Sequence, residues 1–382
     1  MSRPWDVVVV GAGIVGAAVA RASAQAGLRT LLVEQEARGG QGTTGAATGH
    51  LVTLGETPAQ LTLTRFALEC WRRESARLPP SVHYLRRGTL WVAETPTKAE
   101  RARRQAAELR AHAVEARWVP GEELRTLEPV LRPGLEGGLL VPGDGGVDPV
   151  AVTDHLLKEF GALGGTLRSE CRVSFRKEKG LVDEAGTPLP SDRIVLATGH
   201  GTSGLLPGCP VRPRKGTLIS VRLPSGPPRH QVLELGYQSG TVPGAPDSIT
   251  FNLHPRADGS VVVGSSRQWE PQDLSVDPDV VAAIFRRAET FVPGLRDAPR
   301  DRSWSGLRPS TPDLLPLLGV WPPDPRVLLA TGHEGLGITT AFATGEILGA
   351  LLTGKAPPVP LGPFLPARFL PEARGPDVTR NP

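Results

Sequence analysis

A single arginine, Arg308, stands in an otherwise apolar stretch, between a leucine and a proline in the segment from Trp304 to Gly319. A guanidinium that cannot reach water needs an anion beside it, because burying an unpaired charge is costly. After Arg308 this segment offers one carboxylate, that of Asp313. Arg308 therefore either pairs with Asp313 or binds a negatively charged ligand, and the segment alone leaves both interpretations open.

A second set of residues that could do chemistry lies near the amino terminus. The β-branched run Asp6–Val10 is followed by glycines at the spacing GxGxxG, namely Gly11, Gly13 and Gly16. Gly11 permits a tight turn, Gly13 lets a phosphate approach the backbone, and Gly16 lets the next helix pack closely on the strand. The start of that helix offers N–H groups and the positive end of its dipole to a pyrophosphate.

The acid Glu34 ends a second apolar run, 18 positions after Gly16. Its carboxylate would accept hydrogen bonds from ribose hydroxyls and repel a 2′-phosphate. The next stretch, 39–50, is dense in glycine, alanine and threonine, as expected for a loop that lies against a cofactor. A nicotinamide-binding domain would instead continue into another βαβ unit. The pattern predicts a bound dinucleotide and favours FAD, and the alternative is a glycine-rich turn with a surface glutamate.

Composition narrows the class of protein. The chain has 382 residues, 39% of them hydrophobic and 21% charged, with a formal net charge of +4, which predicts a folded protein of two domains or one with a large insertion. Basic residues are scattered, so nucleic-acid binding is not expected. Three widely spaced cysteines and no CxxC pair predict a reducing compartment, no disulfide and no metal. No segment resembles a signal peptide or a membrane span, so we expect a cytoplasmic protein, with peripheral contact at the inner face of the membrane left open.

The elements that must position these residues follow from hydrophobic periodicity. Helices are predicted at 61–78, 98–113, 148–163, 278–291 and 336–352. Unalternating apolar runs predict buried parallel strands at 6–10, 30–34, 193–199 and 326–333. Antiparallel strands are predicted at 211–221, 231–236, 249–254 and 260–265. The order of these elements indicates a discontinuous βαβ domain interrupted by a mostly antiparallel one.

Seven segments, in this order along the chain, carry a family pattern. They are 11–16 with Glu34, 43–49, 143–149, 195–199, 213–216, 306–313 and 332–338. Together they resemble the D-amino-acid oxidase/glycine oxidase (DAO) family of FAD-dependent amine oxidoreductases, over nearly the whole chain. Within that family, residues 264–268 and 332–340 are most similar to those of bacterial D-amino-acid dehydrogenases that act on D-hydroxyproline or opine-like amines.

The resemblance implies an α/β fold in which a Rossmann-like FAD-binding domain of the GR2/DAO type is interrupted by an α+β substrate domain with an antiparallel sheet. The FAD-binding domain would comprise 1–80, 143–215 and 305–355, and the substrate-binding domain 81–142 and 216–304. Residues 356–382, with eight prolines, would form an extended carboxy-terminal tail.

The resemblance also implies which residues contact FAD. They are Gly11, Gly13, Ile14, Val15, Gly16, Glu34, Gln35, Thr43, Thr44, Thr48, Gly49, His50, Val173, Gly199, His333, Glu334, Gly335, Leu336, Gly337, Ile338 and Thr339. The last seven would face the flavin, where the start of a helix would stabilise the negative charge that the ring gains on reduction. The alternative for those seven is an ordinary strand–helix turn.

In this family the arginine that matches Arg308 binds the substrate carboxylate, and a bidentate pair would fix the α-carbon at the flavin. The residues expected around the substrate with it are Asn252, His254 and Gly335. Candidates for tuning the pKa of reacting groups are His50, His333 and Glu334. For each of these three the alternative is a purely structural role.

The sequence also departs from the family pattern. Glycine oxidase carries a second carboxylate-binding arginine where Gly335 stands, and a tyrosine near the position of Asn252. A bulkier or secondary amine is therefore favoured over glycine as substrate. Relatives with covalent flavin use a histidine where Ala46 stands, or a cysteine far along the chain, whereas the last cysteine here is Cys209. Non-covalent FAD is predicted.

These features lead to a hypothesis of function: C–N bond oxidation of a D-amino acid or secondary imino acid by hydride transfer to flavin N5, giving an imine or 2-oxo acid. The electron acceptor would be O2, a quinone or a partner subunit, and the oligomeric state stays open. The alternatives are a glycine/sarcosine-type oxidase that produces hydrogen peroxide, and a non-catalytic FAD-bearing subunit of a larger complex.

Overall fold

The structure is a computed structural model that describes residues 4–53, 57–176, 180–236, 244 and 246–370. The helices are α1 (Ile14–Gln25), α2 (Pro58–Glu74), α3 (Pro96–Ala111), α4 (Gly121–Leu127), α5 (Pro149–Ala162), α6 (Thr202–Leu205), α7 (Pro278–Glu289) and α8 (Gly337–Leu352). The strands up to the middle of the chain are β1 (Trp5–Val10), β2 (Thr30–Val33), β3 (His50–Leu51), β4 (Thr89–Ala93), β5 (Arg117–Pro120), β6 (Gly137–Val141), β7 (Gly145–Gly146), β8 (Thr166–Arg168) and β9 (Val173–Arg176). The later strands are β10 (Gly180–Asp183), β11 (Ser191–Leu196), β12 (Arg212–Val221), β13 (Gln231–Glu234), β14 (Ser248–Pro255), β15 (Val261–Arg267), β16 (Arg300–Ser310), β17 (Leu317–Trp321) and β18 (Asp324–Thr331).

The chain divides into two compact units. Unit 1 is Met1–Gln41, Thr153–Arg212 and Pro309–Pro382, and unit 2 is Gly42–Val152 and Pro213–Arg308. These bounds differ from the predicted domains, because residues 42–80 and 143–152 belong to unit 2. The reason is local pairing: β3 runs antiparallel to β7, and the Val147 N–H donates to the Gly49 carbonyl at 2.9 Å. The roles of the two units in binding cofactor and substrate remain a prediction.

Unit 1 is built on a six-stranded sheet in the order β17-β18-β11-β1-β2-β8. Strand β1 pairs in parallel with both β2 and β11, β11 pairs in parallel with β18, and β17 is an antiparallel edge. The valine run Val7–Val10 is buried throughout, as a strand covered on both faces requires. The predicted Rossmann-like sheet is confirmed.

Helices α1 and α8 of unit 1 pack closely through small residues. A Cβ atom placed on Gly345 would lie 2.8 Å from the Ala18 carbonyl oxygen, so only glycine permits this approach. Further along, the proline-rich segment folds into short 3₁₀ turns at Gly362–Phe364 and Pro366–Phe369, with Phe364 buried. Its last residues, 371–382, lie outside the described residues.

Unit 2 is built on an eight-stranded sheet in the order β16-β12-β15-β14-β13-β4-β6-β5. Strand β15 runs antiparallel to β12 and β14, and β13 pairs in parallel with β4. One face carries the apolar core, which includes Ile219, Phe251 and Val263 together with Phe285 of α7. Because side chains alternate along a strand, the neighbouring positions point to the opposite face. That second face of the sheet carries the polar residues described below.

One glycine shows how closely the β3 and β7 segments must approach. Gly49 has φ +81°, and a Cβ atom there would lie 2.0 Å from the Val147 carbonyl oxygen. Gly27 has nearly the same backbone, with φ +79°, but a Cβ atom there would meet nothing within 4 Å. Substituting these two glycines therefore distinguishes the cost of backbone strain, which both share, from the cost of a steric clash, which arises only at Gly49.

We expect Gly27→Ala to lower the free energy of unfolding by about 1–2 kcal/mol, the cost of the left-handed conformation for a residue with a Cβ. Gly49→Ala should cost at least about 2 kcal/mol more, because a backbone carbonyl must also move. Urea unfolding of the two variants and the parent protein measures both values. Equal losses in the two variants would show that the Gly49 contact is not tight.

Candidate active site

The GxGxxG segment of unit 1 forms a turn that only glycine can occupy. Gly11 has φ +96°, and a Cβ atom there would lie 2.7 Å from the Ala197 carbonyl oxygen. A Cβ atom on Gly16 would lie 1.8 Å from the Gly11 carbonyl oxygen. Because these glycines have no side chains, the backbones of strand β1, the turn and α1 can approach closely, as a phosphate-binding turn requires.

The start of α1 has no capping side chain at its N-cap position. Its N-cap residue, Gly13, makes no side-chain cap hydrogen bond, and the first turn, which includes Ile14 and Val15, contains no acidic residue. A helix start of this kind suits the negative charge of a pyrophosphate. The chemistry of this turn fits a dinucleotide.

Glu34 lies directly beside this turn. One carboxylate oxygen accepts from the Ala12 N–H at 2.6 Å, and the other accepts from the Glu36 N–H at 3.0 Å. Because an ionised carboxylate has about four acceptor positions, two anchored bonds leave room for ribose hydroxyls. Gln35 next to it is exposed. The Glu34 carbonyl accepts from the Cys171 N–H at 2.8 Å, two residues before Val173 at the start of β9.

Unit 1 has a second helix start that contains predicted FAD-contacting residues, and it lies at the turn into α8. The N-cap residue Leu336 makes no side-chain cap hydrogen bond, and Gly337 opens the helix, followed by the buried Ile338 and Thr339. Glu334 has a left-handed backbone, with φ 48°, and its N–H donates to the Pro309 carbonyl at 2.8 Å. Its carboxylate folds back to accept from the Gly335 N–H. The acid is therefore committed to its own turn.

His333 and Gly199 are structural parts of the same unit. His333 is buried, its Nε2 lies 3.1 Å from the Thr344 hydroxyl, and burial lowers its pKa to about 4. The imidazole is therefore neutral at physiological pH. Gly199 has φ +55°, and its carbonyl accepts from the hydroxyls of Thr202 at 2.8 Å and Thr331 at 2.9 Å.

In unit 2 the threonine-rich segment lies on strand β16. The Thr43 hydroxyl donates to the Leu307 carbonyl at 2.6 Å, and the Trp304 indole N–H donates to the Ala46 carbonyl at 3.1 Å. A Cβ atom on Gly306 would lie 2.5 Å from the Ala46 Cβ. Thr44 is buried and Thr48 half-buried. The segment is held in place immediately before Arg308.

Arg308 lies flat on the sheet of unit 2. It is half-buried, and a Cβ atom on Gly216 of the adjacent strand β12 would lie only 2.2 Å from its Nη1 and 2.5 Å from its Cζ. Nη1 donates to the Ser266 carbonyl on β15 at 3.1 Å. The glycine beneath the guanidinium and this bond across two strands fix the orientation of the side chain.

The sequence alternative for Arg308 was a bridge to Asp313. The Asp313 carboxylate is held by Arg368 through two bonds, with Nε at 2.6 Å and Nη2 at 3.0 Å. It also accepts from the Thr311 hydroxyl at 3.1 Å and the Leu315 N–H at 3.1 Å. Asp313 thus has a bidentate partner 55 positions along the chain, which no local pattern could indicate.

Asn252 of β14 lies on the same face of the sheet as Gly216. Its Nδ2 donates to the Ser265 hydroxyl at 3.3 Å, whereas its Oδ1 is buried and has no hydrogen-bond partner among the described residues. Opposite it on β15 is Gly264, where a Cβ atom would lie 2.9 Å from that oxygen. A buried acceptor without a partner is costly, and it indicates a place for a ligand donor.

His50 and His254 meet in the interior of unit 2. Their rings lie 4.8 Å apart, edge to face. His50 Nε2 lies 3.0 Å from the Thr89 hydroxyl, and His254 Nδ1 lies 2.9 Å from Gln231 Oε1. Burial lowers the pKa of His50 to about 3 and that of His254 well below its ordinary value. Both rings are neutral and serve as hydrogen-bonding groups rather than acids.

A buried acid, Asp144, completes this polar chain. Its Oδ1 accepts from the Thr53 N–H at 2.9 Å. Burial raises the pKa of Asp144 to about 7, although hydrogen bonds from Thr53 and Thr89 act in the opposite direction. Thr89 therefore lies between a carboxyl group that titrates near neutrality and the His50 ring. Such a row of groups can hold or pass a proton.

The predicted residues thus divide between the two units. Unit 2 contains Thr43, Thr44, Thr48, Gly49, His50, Asn252, His254 and Arg308, and unit 1 contains the others. Sequence reasoning missed Gly216, Gly264, Thr89, Gln231 and Asp144. Of these, Gly216 and Asp144 lie in segments that carried the family resemblance, which was the available signal, and nothing in the sequence marks Gln231.

Two negative findings hold for the described part of the chain. No group of three or more His, Cys, Asp or Glu side chains there is placed to hold a metal ion. Nor does any helix there have both the length and the apolarity needed to cross a membrane.

Comparison with known proteins agrees with this geometry. The profile of the DAO family, described as FAD dependent oxidoreductase, matches residues 6–351. Glycine oxidase of Bacillus licheniformis is 28% identical over 378 residues, covering 93% of this chain and 95% of the relative. Hydrogen cyanide synthase subunit HcnC of Pseudomonas aeruginosa is 26% identical, covering 97% and 98%. The crystal structure of glycine oxidase from Geobacillus kaustophilus superposes with a TM-score of 0.86 at 25% identity, covering 97% of this chain and 100% of that chain.

The raised pKa of Asp144 predicts a pH dependence of stability. The folded protein keeps this proton up to about pH 7, whereas the unfolded chain releases it near 3.8. The stability gained from the protonated acid is therefore full below 3.8 and is lost as the pH rises through about 7. In Asp144→Asn this loss is absent. Relative to the parent protein, the variant should gain up to about 4 kcal/mol between about pH 4 and pH 7.

Urea unfolding across this pH range measures the difference, with the exposed Asp192→Asn as the control for removing a carboxylate. Parallel pH profiles for the parent protein and Asp144→Asn would contradict the raised pKa.

Proposed function

Because the chain belongs to the DAO family of FAD-dependent oxidoreductases, we propose that it oxidises the C–N bond of an amino acid, with a D-amino acid or a secondary imino acid as the substrate class. FAD is the cofactor of this family, and when bound it would supply the acceptor for a hydride from the substrate α-carbon. The imine product hydrolyses in water to a 2-oxo acid, or stays a cyclic imine if the substrate is a ring. The protein's own residues bind and orient the substrate.

The observation that carries this proposal is the position of Arg308. A half-buried guanidinium that lies on Gly216 and donates to the Ser266 carbonyl keeps its positive charge, because a carbonyl does not neutralise it. Asp313, the acid nearest after it in sequence, is held by Arg368. A substrate carboxylate would bind this guanidinium in a bidentate pair, and such pairs are directional as well as strong.

Asn252 supports the same proposal from the neighbouring part of the sheet. Its buried Oδ1 is an acceptor, and a substrate amine is a donor. With the carboxylate on Arg308 and the amine on Asn252, two contacts would define the direction of the α-carbon. The glycines at 216 and 264 let these two side chains lie close to the sheet, since a Cβ atom at 216 would lie 2.2 Å from Arg308 Nη1 and one at 264 would lie 2.9 Å from Asn252 Oδ1.

No protein base is needed for the hydride step if the amine is neutral when it binds. Burial lowers the pKa of His50 to about 3 and that of His333 to about 4, which makes both imidazoles weak bases. The Glu334 carboxylate is bonded to its own turn. We assign these three residues positioning roles. A neutral amine retains the lone pair that assists the departure of the hydride.

The substrate class follows from what the chain lacks. Gly335 is exposed, and a side chain there would meet nothing within 4 Å. It therefore offers no second charge for a carboxylate, and the preceding Glu334 is an acid. Tight binding then depends on the rest of the substrate, which favours a bulkier or cyclic amine over glycine. The matches to glycine oxidases support the reaction type rather than the substrate.

The match to a hydrogen cyanide synthase subunit over nearly its full length favours one second candidate. In that case the protein would bear FAD as part of a larger assembly and pass electrons to a partner, with or without substrate chemistry of its own. Anaerobic mixing of the purified holoprotein with a panel of D- and L-amino acids, including D-proline and the hydroxyproline isomers, distinguishes the two. Loss of the oxidised flavin absorbance supports catalysis, and peroxide formation on admitting air would assign the acceptor as O2.

Arg308→Leu should retain FAD but reduce kcat/KM for flavin reduction at least ~100-fold, which corresponds to about 2.7 kcal/mol of lost transition-state stabilisation. Arg308→Lys should lose less, because it keeps the charge but not the bidentate geometry. Stopped-flow reduction under anaerobic conditions gives the values. The control is Arg286→Leu, which removes an exposed arginine from α7.

Normal reduction kinetics in Arg308→Leu would exclude the carboxylate contact. An unreactive flavin in the unmodified protein, with every amine tested, would instead support the subunit without substrate chemistry.

A further inference from the structure

Unit 2 contains a cavity of about 330 Å³ whose wall includes the predicted residues Thr48 and His254 and also charged residues that have been given no role. Its wall includes the arginines Arg87, Arg256 and Arg302 and the aspartates Asp148 and Asp258. Arg308 is not part of this wall. We call this space the arginine cavity.

Arg256 is half-buried in the arginine cavity, whereas Arg87 and Arg302 are exposed. Its Nη2 lies 3.3 Å from the Ala47 carbonyl and its Nη1 lies 3.5 Å from the Val147 carbonyl, so both bonds are long. Burial lowers the pKa of Arg256, while Asp148 and Asp258 act to raise it from a distance. Within the described residues, no carboxylate lies within 4 Å of this guanidinium. A desolvated cation with only long bonds to carbonyls is costly unless an anion joins it.

The two aspartates of the arginine cavity are already committed elsewhere. Asp148 caps α5 by accepting from the N–H groups of Val150 and Ala151, each at 3.0 Å. Asp258 accepts from the Ser260 N–H at 2.9 Å and from its hydroxyl at 2.6 Å. Both carboxylates therefore serve local turns, and the arginines outnumber them.

The other arginines lie at the mouth of the cavity. Arg302 is exposed and lies over the Trp304 ring, with 4.7 Å between Cζ and the ring centroid. Arg87 is also exposed. The polar groups His254 and Gln231 line the same space. The cavity thus offers one half-buried cation, two cations near solvent, and an aromatic surface.

The arginine cavity is separate from Arg308. Alternate residues of β16 share a face, so Arg302, Trp304, Gly306 and Arg308 point to the same side. Ala46 lies on Trp304 and Gly306, between the other two. Along β12, Ser220 in the cavity wall is four residues from Gly216 beneath Arg308, or about 13 Å at the rise of a strand. One small substrate group cannot occupy both places.

We propose that the arginine cavity is a second anion site, which binds the carboxylate or phosphate of a small molecule through Arg256, with Arg302 and Arg87 at its entrance. The inference is independent of the proposed oxidation chemistry. An anion here would also stiffen the flanking backbone, because Arg256 contacts the carbonyls of Ala47 and Val147. Ala47 directly precedes Thr48 and Gly49, so the ligand would act on the segment that carries His50.

Isothermal titration calorimetry of the holoprotein with inorganic phosphate, and separately with acetate, tests the site and distinguishes the two anion chemistries. We expect saturable binding of at least one anion in both the unmodified protein and Arg308→Leu. Arg256→Gln should weaken that binding at least ~10-fold, the loss of one charge-assisted bond. Arg286→Gln, far from the cavity in sequence and exposed, is the control and should bind as the parent does.

Arg302→Gln provides a second variant if Arg256→Gln fails to fold, and it should weaken binding by a smaller factor because it lies near solvent. The proposal is overturned if neither anion binds the unmodified protein at millimolar concentration. It is also overturned if the arginine variants bind as tightly as the parent, or if binding disappears in Arg308→Leu alone.

Discussion

The charge on Arg308 constrains the sheet around it. A guanidinium can lie flat on a β-strand only where the strand has no side chain beneath it, and Gly216 meets this condition with no space to spare. Once there, the charge is half-removed from water, where an anionic ligand would stabilise it. Under the proposed function, binding of a carboxylate would be favoured, because the arginine is ordered before the ligand arrives.

Glycine also occupies other positions where a Cβ atom would clash with a neighbouring group. Gly11 and Gly16 bring the turn, the strand and the helix of the dinucleotide segment together in unit 1. Gly49 lets the β3 and β7 segments of unit 2 meet. In each case a backbone carbonyl occupies the place of the missing Cβ, so substitution cannot be relieved by turning a side chain. The rigidity needed at a redox site is thus encoded by glycine rather than by large residues.

Much of the fold could be predicted from the sequence, and the exceptions have physical causes. The apolar runs at Val7–Val10 and 326–333 predict buried parallel strands, because apolar side chains lie on both faces of each strand. Strand β16 gives no such signal, since its first four residues are exposed and three of them are charged. The predicted FAD-binding domain first extends to residue 80, whereas the first segment of unit 1 ends at Gln41, because the pairing of His50 with Gly146 joins segments about a hundred positions apart.

The candidate site was predictable only in part for a similar reason. Arg308 is visible as a charge in an apolar context, but its support, Gly216, lies on another strand. The Asp313–Arg368 pair, which gives the Asp313 carboxylate a partner other than Arg308, joins positions 55 apart. Asp144 lies in a segment that carries the family resemblance, but only burial gives it a pKa of about 7. Long-range partners and desolvation are tertiary properties, which local patterns do not contain.

The central claim, that Arg308 binds a carboxylate in reach of the flavin, is tested most directly with an unreactive pair of ligands. Pyrrole-2-carboxylate and its uncharged amide have the same ring and differ in charge. Visible-absorbance titration of the holoprotein should show the carboxylate perturbing the flavin spectrum and the amide failing to do so, with no response to either in Arg308→Leu. Equal responses to both ligands, or an unchanged carboxylate response in the variant, would contradict the account.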